Sequence, residues 1–209
     1  MRILLWILVL FSQVAFFGQA DSMRVQEDRP DGIYVTYNDF RKNNFIAKEQ
    51  LITDFKKEQL DFISKVTAAD KISFTSQAGV VSVPTKDLWG YYQNKTLYVN
   101  YKGEFFRVPV FGAICYLVAT VSVINNGFYD PTFSYGVNAT RTKEIREFII
   151  DFYDGNIIDF TMEKAEAMLS RDSVLFAGYK VLSRRSRKEQ VNRYIRRFNE
   201  AHPVYFLKY

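Results

Sequence analysis

Six side chains of a predicted β-meander carry groups that could bind a ligand. If residues 94–95 and 102–103 form two-residue hairpin loops, the strand register places all six on one sheet face. They are Trp89, Tyr91, Tyr98, Asn100, Phe105 and Arg107. Rings beside an amide and a guanidinium are typical of a platform that stacks sugars or other flat ligands. The alternative is that the C-terminal helices cover this face, and covering is favoured because aromatic side chains mostly serve cores.

The same register predicts the partners across the meander. Asn100 is expected opposite both Trp89 and Phe105, and Tyr98 is expected opposite Tyr91. The other sheet face then carries a row of apolar side chains, namely Leu88, Tyr92, Leu97, Val99, Phe106 and Val108. This second face is predicted to face the core.

A run of cations near the C-terminus is the other conspicuous feature. Between residues 180 and 197 a single acid, Glu189, stands against Lys180, Arg184, Arg185, Arg187, Lys188, Arg193, Arg196 and Arg197. Such a strip could contact anionic lipid headgroups or acidic polysaccharide. Nucleic acid is not expected as a partner, because no nucleic-acid-binding motif accompanies the charge. The alternative is the solvated face of a helix that docks through Val191, Tyr194, Ile195 and Phe198.

Few residues could carry out covalent or acid–base chemistry. Cys115 lies among apolar residues of a predicted strand, where a thiol is a small hydrophobe with a raised pKa. His202 stands between a helix end and Pro203, and nothing places Cys115 at a helix N-terminus or a sharp turn as a nucleophile would require. No catalytic residue is predicted, and Glu104 is the acid considered for a hydrolase that uses carboxylates.

Composition narrows the classes of site further. The chain has 209 residues, of which 48% are apolar and 24% charged, as in a globular domain. One His and one Cys exclude an intramolecular disulfide, a multi-cysteine iron–sulfur cluster and a zinc site built from several His or Cys ligands. We expect no cofactor and no bound metal, while carboxylate catalysis stays open.

The first twenty residues have the pattern of a secretory signal peptide. Met1-Arg2 precedes an apolar run over 3–17, and Gly18 and Ala20 supply small residues before Asp21. An uncleaved anchor is the alternative, but the run is shorter than the ~20 residues that span a bilayer. We therefore expect cleavage near Ala20 and a periplasmic or extracellular location.

The spacing of turn residues and apolar residues predicts an α+β fold. Residues 21–30 are expected to be a flexible leader, 31–160 a mainly β domain, and 161–209 a helical region packed on it. The β part is predicted to consist of antiparallel hairpins and a meander, in a sandwich-like or partly open barrel arrangement. Residues 111–124 read as a central strand covered on both faces, and a capping box at 186–189 is predicted to begin the last helix.

Four segments resemble a group of secreted proteins of Bacteroidota-type bacteria with no assigned function. They are DGIYVTYNDF at 31–40, DLWGYY at 87–92, LYVNY at 97–101 and NEAHPVYF at 199–206. The resemblance implies export across the inner membrane of a Gram-negative cell. It implies no catalytic residues.

These observations favour an exported, non-catalytic binding or interaction protein of the bacterial envelope. Its expected partner is an envelope polysaccharide or another envelope protein, with at most peripheral contact to a membrane. The alternative is a small carboxylate-dependent hydrolase that acts on an envelope polymer.

Overall fold

The computed structural model describes residues 22–24, 29–125 and 140–207. The predicted signal peptide at 1–20 lies outside the described residues. None of the described helices is long and apolar enough to cross a membrane.

Antiparallel strands dominate the first part of the chain and helices follow them. The strands are β1 Ser22–Arg24, β2 Gly32–Tyr34, β3 Ile46–Ala47, β4 Lys71–Ser76, β5 Gly79–Pro84, β6 Gly90–Gln93, β7 Thr96–Tyr101, β8 Glu104–Arg107, β9 Ile114–Asn125, β10 Thr140–Asp151, β11 Ile157–Asp159 and β12 Tyr205–Leu207. The helices are α1 Tyr37–Arg41, α2 Phe62–Val66, α3 Met162–Leu169, α4 Ser173–Lys180 and α5 Arg184–Ala201. The predicted α+β class is confirmed, and the described strands form open sheets without a closed barrel.

A five-stranded sheet with the order β3-β2-β6-β7-β8 contains the meander. Tyr91 pairs with Tyr98 and Asn100 pairs with Phe105, so the predicted register of these pairs is confirmed. Both hairpin loops have two residues with positive φ, at 94–95 and 102–103. This conformation matches the right-handed twist of the flanking strands and thereby fixes the register.

The segment just before β6 departs from regular strand alternation, so Leu88 and Trp89 lie on the opposite sheet faces from those predicted. Residues 85–87 form a 3₁₀ turn, and the amide of Trp89 donates to the carbonyl oxygens of both Tyr34 and Val35. As a result, Leu88 joins the apolar cluster of Tyr91, whereas Trp89 packs on the opposite face. The prediction that Trp89 shares a face with Tyr91 is wrong, because strict alternation begins only at Gly90.

A three-stranded sheet with the order β11-β10-β9 makes β10 the central strand. Ile114 and Tyr116 are buried, but Val118, Thr120 and Ser122 on the same side of β9 are exposed. The prediction of a central strand covered on both faces is therefore wrong for the later part of β9. The hydroxyl side chains at 120 and 122 suit a solvated face.

The described residues form two apolar clusters. The larger one joins the three-stranded sheet, one face of the five-stranded sheet and helices α3–α5. The smaller one covers the other face of the five-stranded sheet with side chains from α2, β4 and the segment before them, including Leu51, Phe62, Ile63 and Ile72. The predicted cover by the C-terminal helices is wrong, because these helices belong to the larger cluster.

The segment predicted as a flexible leader contains ordered structure. β1 pairs with β12 in an antiparallel two-stranded sheet, in which Met23 is opposite Phe206. Further along the segment, Arg29 is buried. Ser22–Arg24 pairs with a strand at the far end of the chain, and local sequence patterns do not reveal such a partner.

Side chains at the helix starts explain where the three C-terminal helices begin. Thr161 caps α3 and Asp172 caps α4 by accepting from backbone amides of the first turn. Ser183 caps α5 in the same way, so the helix begins before the capping box predicted at 186–189. The apolar stripe predicted for α5 is confirmed: Val191, Tyr194, Ile195 and Phe198 are all buried.

Candidate functional site

Three of the predicted platform residues lie together and are covered. The rings of Tyr91 and Tyr98 stack at 4.6 Å between centroids and 14° between planes, and Phe105 lies 5.1 Å from Tyr91. Tyr91 is only 4% exposed, and Tyr98 and Phe105 are half-buried against the smaller apolar cluster. Burial raises the pKa of Tyr91 above the ordinary value for tyrosine. The geometry is that of a core and not of an open stacking surface.

The other three platform residues have separate surroundings. The ring of Trp89 lies 4.2 Å from the ring of Phe40 on the opposite face of the sheet. Within its own hairpin Asn100 Oδ1 accepts from the amide of Gly103 at 2.9 Å. Its Nδ2 donates to the carbonyl oxygens of Thr85 and Lys86, in the turn before β6, at 3.2 and 3.1 Å. Arg107 is exposed and pairs with Tyr98 across β7 and β8, which places it on the sheet face of Tyr98 as predicted.

Helix α5 directs its cations outward. Its apolar stripe packs inward, and Arg193, Arg196 and Arg197 are exposed. Residues spaced by three and four positions share one helix face, so these three guanidinium groups stand side by side. Arg197 also lies over the ring of Tyr194 at 5.2 Å.

More cations surround the beginning of α5. Arg184, Arg185 and Lys188 are exposed and line an open groove of about 870 Å³ beside α3. The first turn of α5 contains no acid. Because the N-terminal end of a helix carries partial positive charge, cations are electrostatically unfavourable there, and an anion would relieve the repulsion.

Ion pairs divide the basic strip into structural and free residues. Arg187 is paired with Glu166 at 2.7 Å, Lys180 pairs with the same carboxylate at 3.2 Å, and Arg185 pairs with Glu189. Five exposed cations form no ion pair within the described ranges. We call them the basic surface, and they are Arg184, Lys188, Arg193, Arg196 and Arg197.

The thiol and the imidazole are each engaged elsewhere. Cys115 is buried, its Sγ donates to the carbonyl oxygen of Gly112 at 3.4 Å, and burial raises its pKa to about 12. His202 Nε2 lies 3.0 Å from Asp172 Oδ2, and its ring lies against Phe198. The setting of Cys115 is that of an unreactive thiol.

Asp151 is the one buried acid of the described residues. Burial by itself would raise its pKa, but the hydrogen bond from Arg171, the amide of Tyr153 and the charge of Arg171 outweigh burial and lower it. Glu104, the acid considered from sequence, is exposed and accepts from the Ser122 hydroxyl at 3.0 Å. Across the described ranges, no group of three or more His, Cys, Asp or Glu side chains is placed to hold a metal ion.

Sequence patterns missed one unusual residue. Arg29 is buried among rings from α1, β2, β6 and β12. Its only local signal is a cation before Pro30 in a polar stretch, which is common in surface segments. The surrounding rings come from distant parts of the chain, so the site is visible only in three dimensions.

Comparison of the chain with family models, with curated proteins and with solved structures found no match.

Proposed function

We propose that the protein is an exported, non-catalytic binding protein of the bacterial envelope, and that its basic surface contacts an acidic envelope polysaccharide. The observation that carries the proposal is the set of five exposed cations on α5 without an acidic partner in the described part of the chain. The formal net charge of +5 favours the same class of partner. Export is supported by the pattern of residues 1–20 and by the resemblance to secreted proteins.

The packing of α5 favours a polymer over a lipid bilayer. A helix that lies in a membrane interface inserts an apolar face between the headgroups. The apolar stripe of α5 is buried inside the protein, with Ile195 fully covered. None of the exposed large hydrophobic side chains of the described residues lies on α5. The outward face therefore offers charge without an inserting group.

The same face favours a polymer over a protein partner. Protein interfaces are held by buried aromatic or apolar anchors at their centre. The outward residues of α5 are cations and other polar groups, whose charge is better suited to repeated carboxylates along a flexible chain. Polysaccharide is therefore the partner that the chemistry of this surface favours.

The environment of Asp151 does not favour the alternative of a carboxylate-dependent hydrolase. A general acid needs a raised pKa so that it carries a proton near neutral pH. The pKa of Asp151 is lowered by its partners, which keeps the group ionised. A binding role is therefore the better supported hypothesis.

A binding assay with charge-matched variants tests the proposal. The chain from Asp21 onward is titrated onto immobilised polygalacturonate, with neutral dextran as the reference polymer. Cations near an anionic surface contribute about 1 kcal/mol each, so the combined variant Arg193→Glu, Arg196→Glu and Arg197→Glu should lose at least about a hundredfold in affinity. The matched control reverses three exposed lysines elsewhere, Lys42, Lys56 and Lys71.

The control decides how the result is interpreted. If the control variant keeps its affinity for polygalacturonate while the α5 variant loses it, the result supports a specific binding surface on α5. Equal loss in both variants would mean that net charge alone governs binding and would contradict the proposal, as would equal binding to dextran. The export part is tested separately by N-terminal sequencing of exported protein, which should begin at or near Asp21. A membrane-bound chain that still starts at Met1 would contradict it.

A further inference from the structure

A groove of about 640 Å³ opens between the end of α2 and the β7–β8 hairpin, on the side of the smaller apolar cluster. Its lining combines hydroxyl groups, two acids and a few apolar side chains. None of the five cations of the basic surface belongs to this lining, so the groove is a separate feature of the molecule.

Tyr91 contributes a nearly buried polar group to the groove. The residue lines the groove although only 4% of its surface is exposed, and stacking on Tyr98 at 4.6 Å between centroids fixes its ring. Within the described ranges the Tyr91 hydroxyl forms no hydrogen bond, yet it retains accessible surface, whereas the hydroxyl of Tyr92 is sealed from solvent. Buried polar groups normally have a partner, so a ligand at this point would complete the Tyr91 hydroxyl.

Three other hydroxyls of the lining have already used their hydrogen. Ser64, Thr67 and Thr85 each donate to a nearby backbone carbonyl oxygen, at 2.9 Å for the first two. A hydroxyl has one hydrogen and two lone pairs, so each of these groups keeps only lone pairs for a further contact. Thr67 and Thr85 are 6% and 5% exposed, which restricts such a contact to the groove that they line. These hydroxyls therefore suit a ligand that donates hydrogen bonds.

The charges of the lining favour the same kind of ligand. Asp70 and Glu104 are exposed acids of the lining, and neither forms an ion pair in the described part of the chain. Glu104 accepts from the Ser122 hydroxyl through Oε1, which leaves Oε2 to a ligand. Lys86 is the one cation among the described lining residues. The acids therefore outnumber the cations, and an added positive group would balance them.

We propose that this groove binds an alkylammonium group, carried by a lysine side chain of a peptide or by a small free amine. An ammonium group has three donors and no acceptor, which matches a lining of hydroxyl lone pairs and carboxylates. The apolar part of the lining includes Ala68, Pro84 and Phe105, which would cover the methylene stem of such a ligand. The Phe105 ring also attracts a cation through its face.

The groove and the basic surface select ligands of opposite charge. An acidic polysaccharide is attracted by the guanidinium groups of α5 and repelled by Asp70 and Glu104. An amine has the reverse preference. The proposal is therefore independent of the proposed function, and each of the two fails or holds in its own assay.

The test measures the affinity for butylammonium chloride by calorimetry at neutral pH, with sodium chloride at equal ionic strength and neutral butanol as references. Butylammonium should bind and butanol should not, because the apolar stem alone gives no charged contact. Asp70→Asn and Glu104→Gln should each weaken butylammonium affinity about tenfold, as expected for loss of a charge-assisted hydrogen bond. Asp54→Asn is the matched control, because Asp54 is an exposed acid outside the lining. Its affinity should equal that of the unmodified protein.

Two further variants separate binding from folding. Tyr91→Phe keeps the stacked ring and removes a hydroxyl without a protein partner, so the melting temperature without ligand should be unchanged while butylammonium affinity falls. Lys86→Gln removes the like charge of the lining, so affinity should rise by up to about fivefold, the range of an exposed charge pair.

A second arm identifies the source of the ammonium group. It compares butylammonium with an acetylated and amidated glycyl-lysyl-glycine peptide. Tighter binding of the peptide identifies a lysine side chain as the ligand, and weaker binding identifies a small amine. Butylammonium binding that is no stronger than that of butanol would overturn the proposal. Equal weakening by Asp54→Asn, or a lower affinity in Lys86→Gln, would overturn it as well.

Discussion

At the scale of single residues, burial decides which groups are chemically available. Cys115 and Asp151 are both buried, yet their ionisation is affected in opposite senses. Burial is the main cause that disfavours the thiolate of Cys115, and the negative charge of Asp151 raises its pKa in the same direction. Asp151 has Arg171 and the Tyr153 amide beside its carboxylate, so the charged form is retained. Neighbouring donors and cations can therefore outweigh burial, as they do at Asp151 and not at Cys115.

We predict that Cys115 does not react in the native protein. Its pKa is raised to about 12, so the thiolate is scarce at about pH 8, and its side chain is covered. A maleimide reagent should label the protein only after denaturant unfolds it, which mass spectrometry follows directly. Labelling of the native protein within minutes would show that the thiol is accessible.

We predict that Asp151 contributes stability that is lost in acid. Its folded pKa lies below the unfolded value of about 3.9, so the contribution is complete above that value and declines as the pH falls through the folded pKa. Asp151→Asn should lower the free energy of unfolding by about 1–3 kcal/mol near neutral pH and flatten its dependence on pH below about 4. Asp54→Asn, at an exposed position, is the control. An unchanged acid dependence in Asp151→Asn would contradict the assignment.

At the scale of elements, one face of α5 packs on the core and the opposite face presents cations to solvent. The stripe that includes Tyr194 and Phe198 joins the larger cluster, and the guanidinium groups of the outer face contact solvent. Asn199 adds a specific anchor, because its side chain accepts from the amide of Ile114 at 2.9 Å and donates to the carbonyl oxygen of the same residue at 2.8 Å. The helix is therefore fixed in rotation, and its cations are fixed outward.

We predict a large difference in stability between the two faces of α5. Phe198→Ala should lower the free energy of unfolding by about 3–5 kcal/mol, because a buried ring is removed and a cavity remains. Arg193→Glu and Arg196→Glu should each change it by less than about 1 kcal/mol, because exposed charges contribute little. Denaturant titration measures the free energy of unfolding of all three variants. If the charge reversals unfold the protein and Phe198→Ala does not, the assigned orientation of the helix is wrong.

We predict opposite effects of alanine at two glycines. A Cβ at Gly90 would clash with the carbonyl oxygen of Tyr98 on the neighbouring strand, so Gly90→Ala should destabilise the meander. Gly178 lies in α4, where the nearest atom to an added Cβ is the Tyr194 hydroxyl at 4.0 Å. Gly178→Ala should therefore raise stability by up to about 1 kcal/mol through helix propensity. Melting curves of both variants show whether each change raises or lowers stability. An unchanged melting temperature for Gly90→Ala would contradict the close contact between Gly90 and the carbonyl oxygen of Tyr98.

Sequence patterns sufficed where the determining signal is local. Turn residues at 94–95 and 102–103 set the pairing of Tyr91 with Tyr98, and the spacing of Val191, Tyr194, Ile195 and Phe198 identified the buried face of α5. Alternation failed at Trp89, because a 3₁₀ turn precedes the strand and shifts its phase. Arg29 and the pairing of β1 with β12 could not be predicted, because their partners lie far along the chain.

At the scale of the whole molecule, one sheet separates two cores. The smaller cluster covers the face that carries Tyr91, and this leaves no open aromatic platform there. The larger cluster takes the apolar side of α5, so the cations of that helix form part of the outer surface. The arrangement favours recognition of anions by charge over recognition of flat ligands by stacking.

The most direct test of the proposed function maps the contact surface in solution. Amide chemical shifts of the isotope-labelled chain from Asp21 onward are recorded during titration with short polygalacturonate oligomers. We expect the largest shift changes in α5, around Arg193, Arg196 and Arg197, and no change in the hairpin of β4 and β5. Shift changes concentrated around Tyr91 and Phe105, or none at saturating oligomer, would contradict it.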